Sequence, residues 1–192
     1  CVLNSIRKGH VQLGDVIVII GGGIMGMLHI MCAKLSGARV TLSEPDPERR
    51  RLAEELGCDF TVNPMETDPV GFVKEITNGL GAEAVFNTTP VSAVAAQAIS
   101  MAAPMGRVVM YSSQHPDKPI EISPNWLHKT EAVITGAVSP SVRSFECAVN
   151  LIAKGLIDTS KLVSGVFDYH DGTEAFEAAI RPDTFRIVVK FS

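Results

Sequence analysis

The chain has 192 residues, 46% hydrophobic and 20% charged, with a formal net charge of −4. These numbers describe a soluble globular protein with one well-buried domain and an appendage. The mild acidity, with no basic stripe or long Lys/Arg run, excludes nucleic acid as a partner.

Cys1 to Lys8 reads as the end of a helix. The apolar run Val16–Ile20 predicts a first strand, followed by the turn Gly21-Gly22-Gly23-Ile24-Met25-Gly26 and a helix over Ile24–Ser36. Arg39–Ser43 is the second strand and ends on Glu44. Pro47–Leu56 is a charged helix, with a proline suited to its first turn. Phe60–Val62 is a short third strand, and Pro69–Thr77 a helix closed by Asn78-Gly79. Ala84–Phe86 predicts the fourth strand, Val91–Met101 an alanine-rich helix and Arg107–Tyr111 the fifth strand. Ser112 to Lys129 reads as a polar loop with several prolines, and Ala132–Ala137 as the sixth strand. A helix over Ser141–Lys154 follows, with Gly155 ending it. Lys161–Tyr169, a helix over Thr173–Ile180 and a strand over Phe185–Phe191 extend past a six-stranded unit and need another surface to pack on. Alternating, nearly all-apolar strands predict an α/β fold: a doubly wound parallel six-stranded sheet of Rossmann type, in the order 3-2-1-4-5-6. We expect a domain over residues 1–155 and a C-terminal segment over 156–192.

Strand, glycine turn, helix, strand and acid come in the order a dinucleotide site needs. Gly21 permits the tight turn, Gly23 lets backbone N–H groups approach a pyrophosphate, and Gly26 lets the helix lie close on the strand. The helix start offers unpaired donors and the positive dipole end to phosphates. Glu44 stands where a carboxylate accepts from ribose hydroxyls, and it would repel a 2′-phosphate, so NAD is expected over NADP. The same turn and acid also fit another nucleotide-containing ligand. Residues 16 to 33 carry no Asp, Glu, Lys or Arg, and Gly22 and Gly26 form a G-x-x-x-G pattern. Three consecutive glycines would break a membrane helix midway, so no membrane span is expected.

Cys1, Cys32, Cys58 and Cys147 are far apart and form no C-x-x-C, which reads as reduced thiols in a cytoplasmic protein. Arg7 and Lys8 before an apolar run imitate a signal peptide, but no cleavage-type ending follows. A first residue other than Met reads as a chain whose upstream part has been removed. The five histidines are scattered without ligand spacing and read as structural, and Met27 and Met31 as core filler. Arg49, beside Arg50 and Arg51, fits a solvated face as well as a ribose contact. Arg186, inside an apolar strand, fits a phosphate partner or a nearby carboxylate.

The ordered pieces resemble the cofactor half of medium-chain, zinc-type alcohol and polyol dehydrogenases over almost the whole chain. They are Val11-Gln12-Leu13-Gly14-Asp15, the Gly21–Gly26 turn, Glu44 with the charged stretch after it, and Ala84-Val85-Phe86-Asn87. Gly106-Arg107-Val108-Val109-Met110, Ile134-Thr135-Gly136, Glu174-Ala175-Phe176 and Phe185-Arg186-Ile187-Val188-Val189 complete them. The polyol and threonine dehydrogenase branch is the most similar. The resemblance implies that backbone groups at Gly23, Ile24 and Met25 hold the pyrophosphate, and that Glu44 binds the adenosine ribose with Arg49 beside it. It places Thr88 and Thr89 beside the cofactor and Tyr111 and Ser112 near the nicotinamide. Gly136, Ala137 and Val138 would present backbone groups to the carboxamide, and Arg186 would reach the pyrophosphate. Asn87 replaces a frequent acid, Pro90 and Ser112 replace frequent glycines, and Tyr111 is bulkier than the usual aliphatic residue. These departures bear on the nicotinamide pose more than on the adenosine pose.

The family's catalytic zinc ligands and its Gly-His-Glu segment lie in its other half and have no counterpart here. Zinc is therefore expected only in that half, and this chain alone is expected to bind cofactor without turnover. In the intact protein the resemblance implies hydride transfer between a secondary alcohol or polyol and NAD. Two alternatives are a zinc-free, NADPH-using quinone-reductase-like domain, against which Glu44 argues, and a non-catalytic NAD-sensing module, against which the long tail argues. Family members pair their sixth strands across a two-fold axis. The uncharged, proline-free segment Ala132–Ala137 leaves that edge unprotected, so a homodimer is expected.

Overall fold

Val16–Ile20 forms β1, the strand on which the sheet is built. Its neighbours are β2 (Arg39–Ser43) on one side and β4 (Ala82–Asn87) on the other, both parallel to it. Ile17, Val18 and Ile19 are completely buried. A strand covered on both faces has no solvent side to show, which is why it reads as an unbroken apolar run. Val18 and Ile20 join Val73, Val85, Met101 and Val108 in one cluster of the core.

The computed structural model describes residues 1–191. The remaining elements of the first unit are α1 (Val2–Lys8), α2 (Ile24–Leu35), α3 (Pro47–Glu55), β3 (Phe60–Val62), α4 (Pro69–Ile76), α5 (Ser92–Ser100), β5 (Ala102–Met110), α6 (Pro124–Thr130) and β6 (Val133–Gly136). The strands lie in the order β3-β2-β1-β4-β5-β6, all parallel, as the alternating pattern predicts. Helices α3 and α4 start on side-chain caps: Asp46 accepts from the Arg49 amide, and Asp68 from those of Val70 and Gly71. Each cap is followed by a proline whose missing N–H costs nothing there.

Two local expectations are corrected. The stretch Ser112–Lys129 is not all loop, because it contains α6. Ser123 caps that helix through the Trp126 amide, and Pro124 stands in its first turn, so this proline starts a helix rather than preventing one. Trp126, Ile120 and Ile122 pack on the core cluster. Strand β5 also begins earlier than Arg107, at Ala102, and passes through an irregular register opposite Ala82 and Ala84. Met105 adopts a positive φ there. At Gly106 a Cβ would lie 2.7 Å from the Ala103 carbonyl oxygen and 2.9 Å from that of Ala82. Ala-Pro-Met-Gly therefore looks like a turn in sequence, although the strand continues through it.

The chain divides into two compact units, Cys1–Cys147 and a second from Ala148 onward, with the division inside α7 (Val142–Ala153). In the second unit, β7 (Val163–Asp168) and β8 (Arg186–Lys190) pair in parallel, joined by α8 (Gly172–Ala179). Ile157, Leu162 and Ala175 are its buried apolar residues, whereas Phe176 and Ile180 on and after α8 are exposed. No helix among the described residues is long and apolar enough to cross a membrane.

Candidate functional site

The carboxyl ends of β1, β2, β4 and β5 gather at the start of α2, and the glycine turn makes that meeting possible. Gly21 has φ +101°, a conformation that side-chain-bearing residues avoid. At Gly26 a Cβ would lie 1.9 Å from the Gly21 carbonyl oxygen, so helix and strand end touch through backbone alone. Gly23, by contrast, has open space where its Cβ would be. It stands at the N-cap of α2 with no side chain capping the helix. The first helical bond runs from the Met27 amide to the Gly23 carbonyl, at 3.0 Å. The amides of Ile24, Met25 and Gly26 therefore have no partner within the helix.

Glu44 follows β2 and is buried. One carboxylate oxygen accepts from the Gly22 amide at 2.5 Å and the other from the Asp46 amide at 3.0 Å. A Cβ on Gly22 would sit 2.9 Å from the Glu44 Cγ, so the acid lies directly against the turn. Arg50 braces this loop by donating to the carbonyls of Glu44 (2.8 Å) and Pro45 (2.6 Å). Arg49, the sequence candidate for this neighbourhood, is half-buried, and its amide donates to the Asp46 carboxylate. The signal for Arg50 is the Asp46 cap, which sets the phase of α3 and turns the residue four places on back towards the loop.

Thr88 donates to the carbonyls of Ile20 (2.8 Å) and Gly21 (3.1 Å), tying the β4 end to the glycine turn. Thr89 is held through its amide and its hydroxyl by the fully buried Asn87, at 3.2 and 3.1 Å. Asn87 thus supplies an acceptor without placing a charge in the sheet. Ser112 donates to the Thr88 carbonyl at 2.8 Å, and Gln114 spans the carbonyls of Thr89 and Ser112. The Tyr111 hydroxyl donates to Met25 Sδ at 3.2 Å. Burial raises the Tyr111 pKa, so the phenol keeps its proton. Gly136 pairs with Met110, and the Ala137 amide donates to the Met110 carbonyl. Asn4 of α1 donates to the Ser139 carbonyl at 3.0 Å, which holds the strand-end loop carrying the exposed Val138.

The structure thus brings Gly21, Gly23, Ile24, Met25, Gly26, Glu44, Thr88, Thr89, Tyr111, Ser112, Gly136 and Ala137 to one end of one sheet. Arg186 belongs to the second unit, where it opens β8 and is exposed, so the cost of a buried cation does not arise. Asn4, Arg50 and Gln114 are absent from the sequence candidates because their partners are backbone carbonyls, which no residue pattern announces.

The four cysteines are free. Desolvation pushes the Cys32 thiol up to about 12 and the Cys58 thiol up to about 11, so neither is a ready nucleophile. Among the described residues no group of three or more His, Cys, Asp or Glu side chains could hold a metal ion.

The sheet order and the glycine turn define a Rossmann-type α/β domain. The chain belongs to the zinc-binding dehydrogenase family, whose model matches residues 25–154. Among relatives, it is 34% identical over 173 residues to a 2-dehydro-3-deoxy-L-galactonate 5-dehydrogenase from Pseudoalteromonas atlantica, covering 90% of this chain and 50% of that one. An L-threonine 3-dehydrogenase from Thermococcus kodakarensis is 43% identical over 107 residues, which is 55% of this chain and 30% of that one. Among solved structures, 2R,3R-butanediol dehydrogenase from Bacillus subtilis superposes with a TM-score of 0.89 at 31% identity, covering 100% of this chain and 55% of the other. A zinc-binding dehydrogenase from Sinorhizobium meliloti bound to NADP superposes with a TM-score of 0.88 at 26% identity, over 98% of this chain and 56% of the other. The chain spans about half the length of the first two proteins that match over most of it.

Proposed function

We propose that this chain is the NAD-binding part of a zinc-dependent alcohol or polyol dehydrogenase, cytoplasmic, whose intact form transfers hydride between a secondary alcohol and NAD. The observation that carries the reading is Glu44, a buried carboxylate fixed against the glycine turn by the Gly22 amide. An ionised carboxylate has about four lone-pair positions. Two accept from the Gly22 and Asp46 amides, which leaves acceptor capacity for a ribose diol. The open side of Gly23 and the unpartnered amides of Ile24, Met25 and Gly26 fit a diphosphate, which needs donors and no side chain in its path.

A solved neighbour of this fold carries NADP, so the fold alone does not select the cofactor. Glu44 supports NAD, because a 2′-phosphate would bring negative charge to a carboxylate whose position its backbone donors fix. NAD bound here would supply the hydride acceptor. Thr88 and Thr89 would lie beside it, and Tyr111 and Ser112, with the backbone from Gly136 to Val138, would frame its nicotinamide end. Arg49 is proposed beside the ribose. The relatives' names support the alcohol or polyol substrate, and the zinc of the family name belongs in this reading to the half that carries its ligands. Glu44→Ala is expected to weaken NADH binding by about 1–3 kcal/mol, the range for losing hydrogen bonds to a charged group. Calorimetric titration of both proteins checks this, and unchanged affinity would count against the ribose role.

We also propose a homodimer through β6. That strand lies at the end of the sheet, and its Val133 is 37% exposed. A second copy would cover the unpaired backbone of the edge. Light scattering across a concentration range is expected to show a dimer that Val133→Lys weakens. A monomeric mass for the parent chain at every concentration would refute it.

A further inference from the structure

His29 is a completely buried polar residue in the middle of α2, on the helix that carries the glycine turn. Its Nδ1 lies 2.7 Å from the Met25 carbonyl oxygen and its Nε2 lies 2.9 Å from the Ser5 hydroxyl. A carbonyl can only accept, so Nδ1 carries the proton. In the neutral ring Nε2 is then the acceptor, and Ser5 donates to it. The ring is held on two further sides, with its centroid 4.9 Å from that of Tyr111, edge to face, and 5.0 Å from that of Phe86. Ser5 comes from α1, Phe86 from β4 and Tyr111 from the end of β5, so three other parts of the chain fix this imidazole.

The chemistry lies in what the imidazole holds. The Met25 carbonyl already accepts the ordinary helical bond from the His29 amide four residues on. The imidazole N–H gives it a second. That carbonyl belongs to the same peptide group as the Gly26 amide, one of the three unpartnered donors at the helix start. A hydrogen bond to the oxygen of a peptide polarises its N–H and makes it a stronger donor. The Tyr111 hydroxyl holds the Met25 side chain at the same turn, at 3.2 Å.

We propose that His29 is a positioning residue for the dinucleotide phosphates, acting through the Met25–Gly26 peptide group. Its Nδ1–H fixes the orientation of that peptide and strengthens the Gly26 amide as a phosphate donor, while Ser5 sets the tautomer that makes this possible. The inference rests on the reading of the α2 start as the diphosphate site. A buried histidine with no such task could be replaced by any residue of similar volume that satisfies its own polar atoms.

Two variants separate the contacts of the ring. Asn at position 29 carries an amide nitrogen near the place of Nδ1 and keeps the donor to Met25. Gln carries its amide near the place of Nε2 and keeps Ser5 but loses Met25. Calorimetric titration with NADH, and with ADP-ribose, which has the diphosphate but no nicotinamide, is the test. His29→Gln is expected to weaken both ligands about five- to tenfold, the scale of one net hydrogen bond, and His29→Asn by no more than about twofold. In the free proteins, NMR is expected to show the Gly26 amide proton shifted upfield in His29→Gln and near its parent position in His29→Asn. Thermal unfolding identifies any variant that is not folded. Equal NADH affinity in the Gln variant and the parent chain would overturn the proposal alone, as would an unchanged Gly26 amide proton. Weakening confined to NADH, with ADP-ribose unaffected, would overturn the phosphate route as well. A parent chain that binds neither ligand would overturn the site reading itself.

Discussion

Gly26→Ala is expected to destabilise the chain by about 3 kcal/mol or more and to abolish dinucleotide binding. The added Cβ would lie 1.9 Å from the Gly21 carbonyl oxygen and 3.0 Å from its carbon, against backbone on a strand end that cannot swing aside. Overpacking against adaptable side chains costs about 1–3 kcal/mol, and a backbone obstacle removes the cheaper ways of relaxing. Either α2 lifts from β1 or the turn opens, and both disperse the Ile24–Gly26 amides. Urea denaturation of the two proteins measures the loss. Stability within about 1 kcal/mol of the parent would mean that the close approach of helix and strand is not a requirement of the fold. Gly23→Ala is the natural companion, because its Cβ would meet nothing within 4 Å. It is expected to leave stability nearly unchanged while obstructing the ligand.

The second large effect comes from acid. Burial is the main cause that lowers the His29 pKa from 6.5 to about 4, against the opposing pull of the Met25 carbonyl. In the unfolded chain this imidazole takes a proton near its ordinary value, whereas the folded protein refuses it until the pH is much lower. The contribution of neutral His29 is therefore fully present above pH 6.5 and is lost as the pH falls from there to about 4. Each tenfold difference in proton affinity between the folded and unfolded chain is worth about 1.4 kcal/mol, so the loss is about 3 kcal/mol. Urea denaturation in steps from neutral pH to pH 4 is expected to show this slope in the parent chain. In His29→Asn, which has no group titrating at this position, the slope should be flatter by about the same amount. Parallel profiles for the two proteins would show that His29 is not the group responsible.

The features that repeat with a period or demand a particular backbone are readable from residue types alone. β1 reads as a strand because both of its faces are buried, and Gly21 and Gly26 read as a turn because only glycine fits there. Glu44 is placed by the distance the second strand must run. Helix α6 is hidden because its proline resembles a breaker when it occupies a first turn, with Ser123 as the cap that marks it. The early start of β5 is hidden by Pro104 and Gly106, which mark an irregular register rather than an end. The tethers of the site are not readable. Asn4 reaches a carbonyl 135 positions away, and Gln114 and Arg50 also bind carbonyls, which every residue carries. His29 stands out as a polar residue in an apolar helix, but its partners Ser5 and Tyr111 come together only through the fold.

Whether the site at the ends of β1 and β2 holds NAD(H) and disfavours a 2′-phosphate because of Glu44 is tested most directly by calorimetry. The purified chain is titrated with NADH and with NADPH under identical salt. NADH is expected to bind more tightly by about tenfold or more, the factor that about 1.4 kcal/mol represents. Equal or tighter binding of NADPH would contradict the ribose role of Glu44.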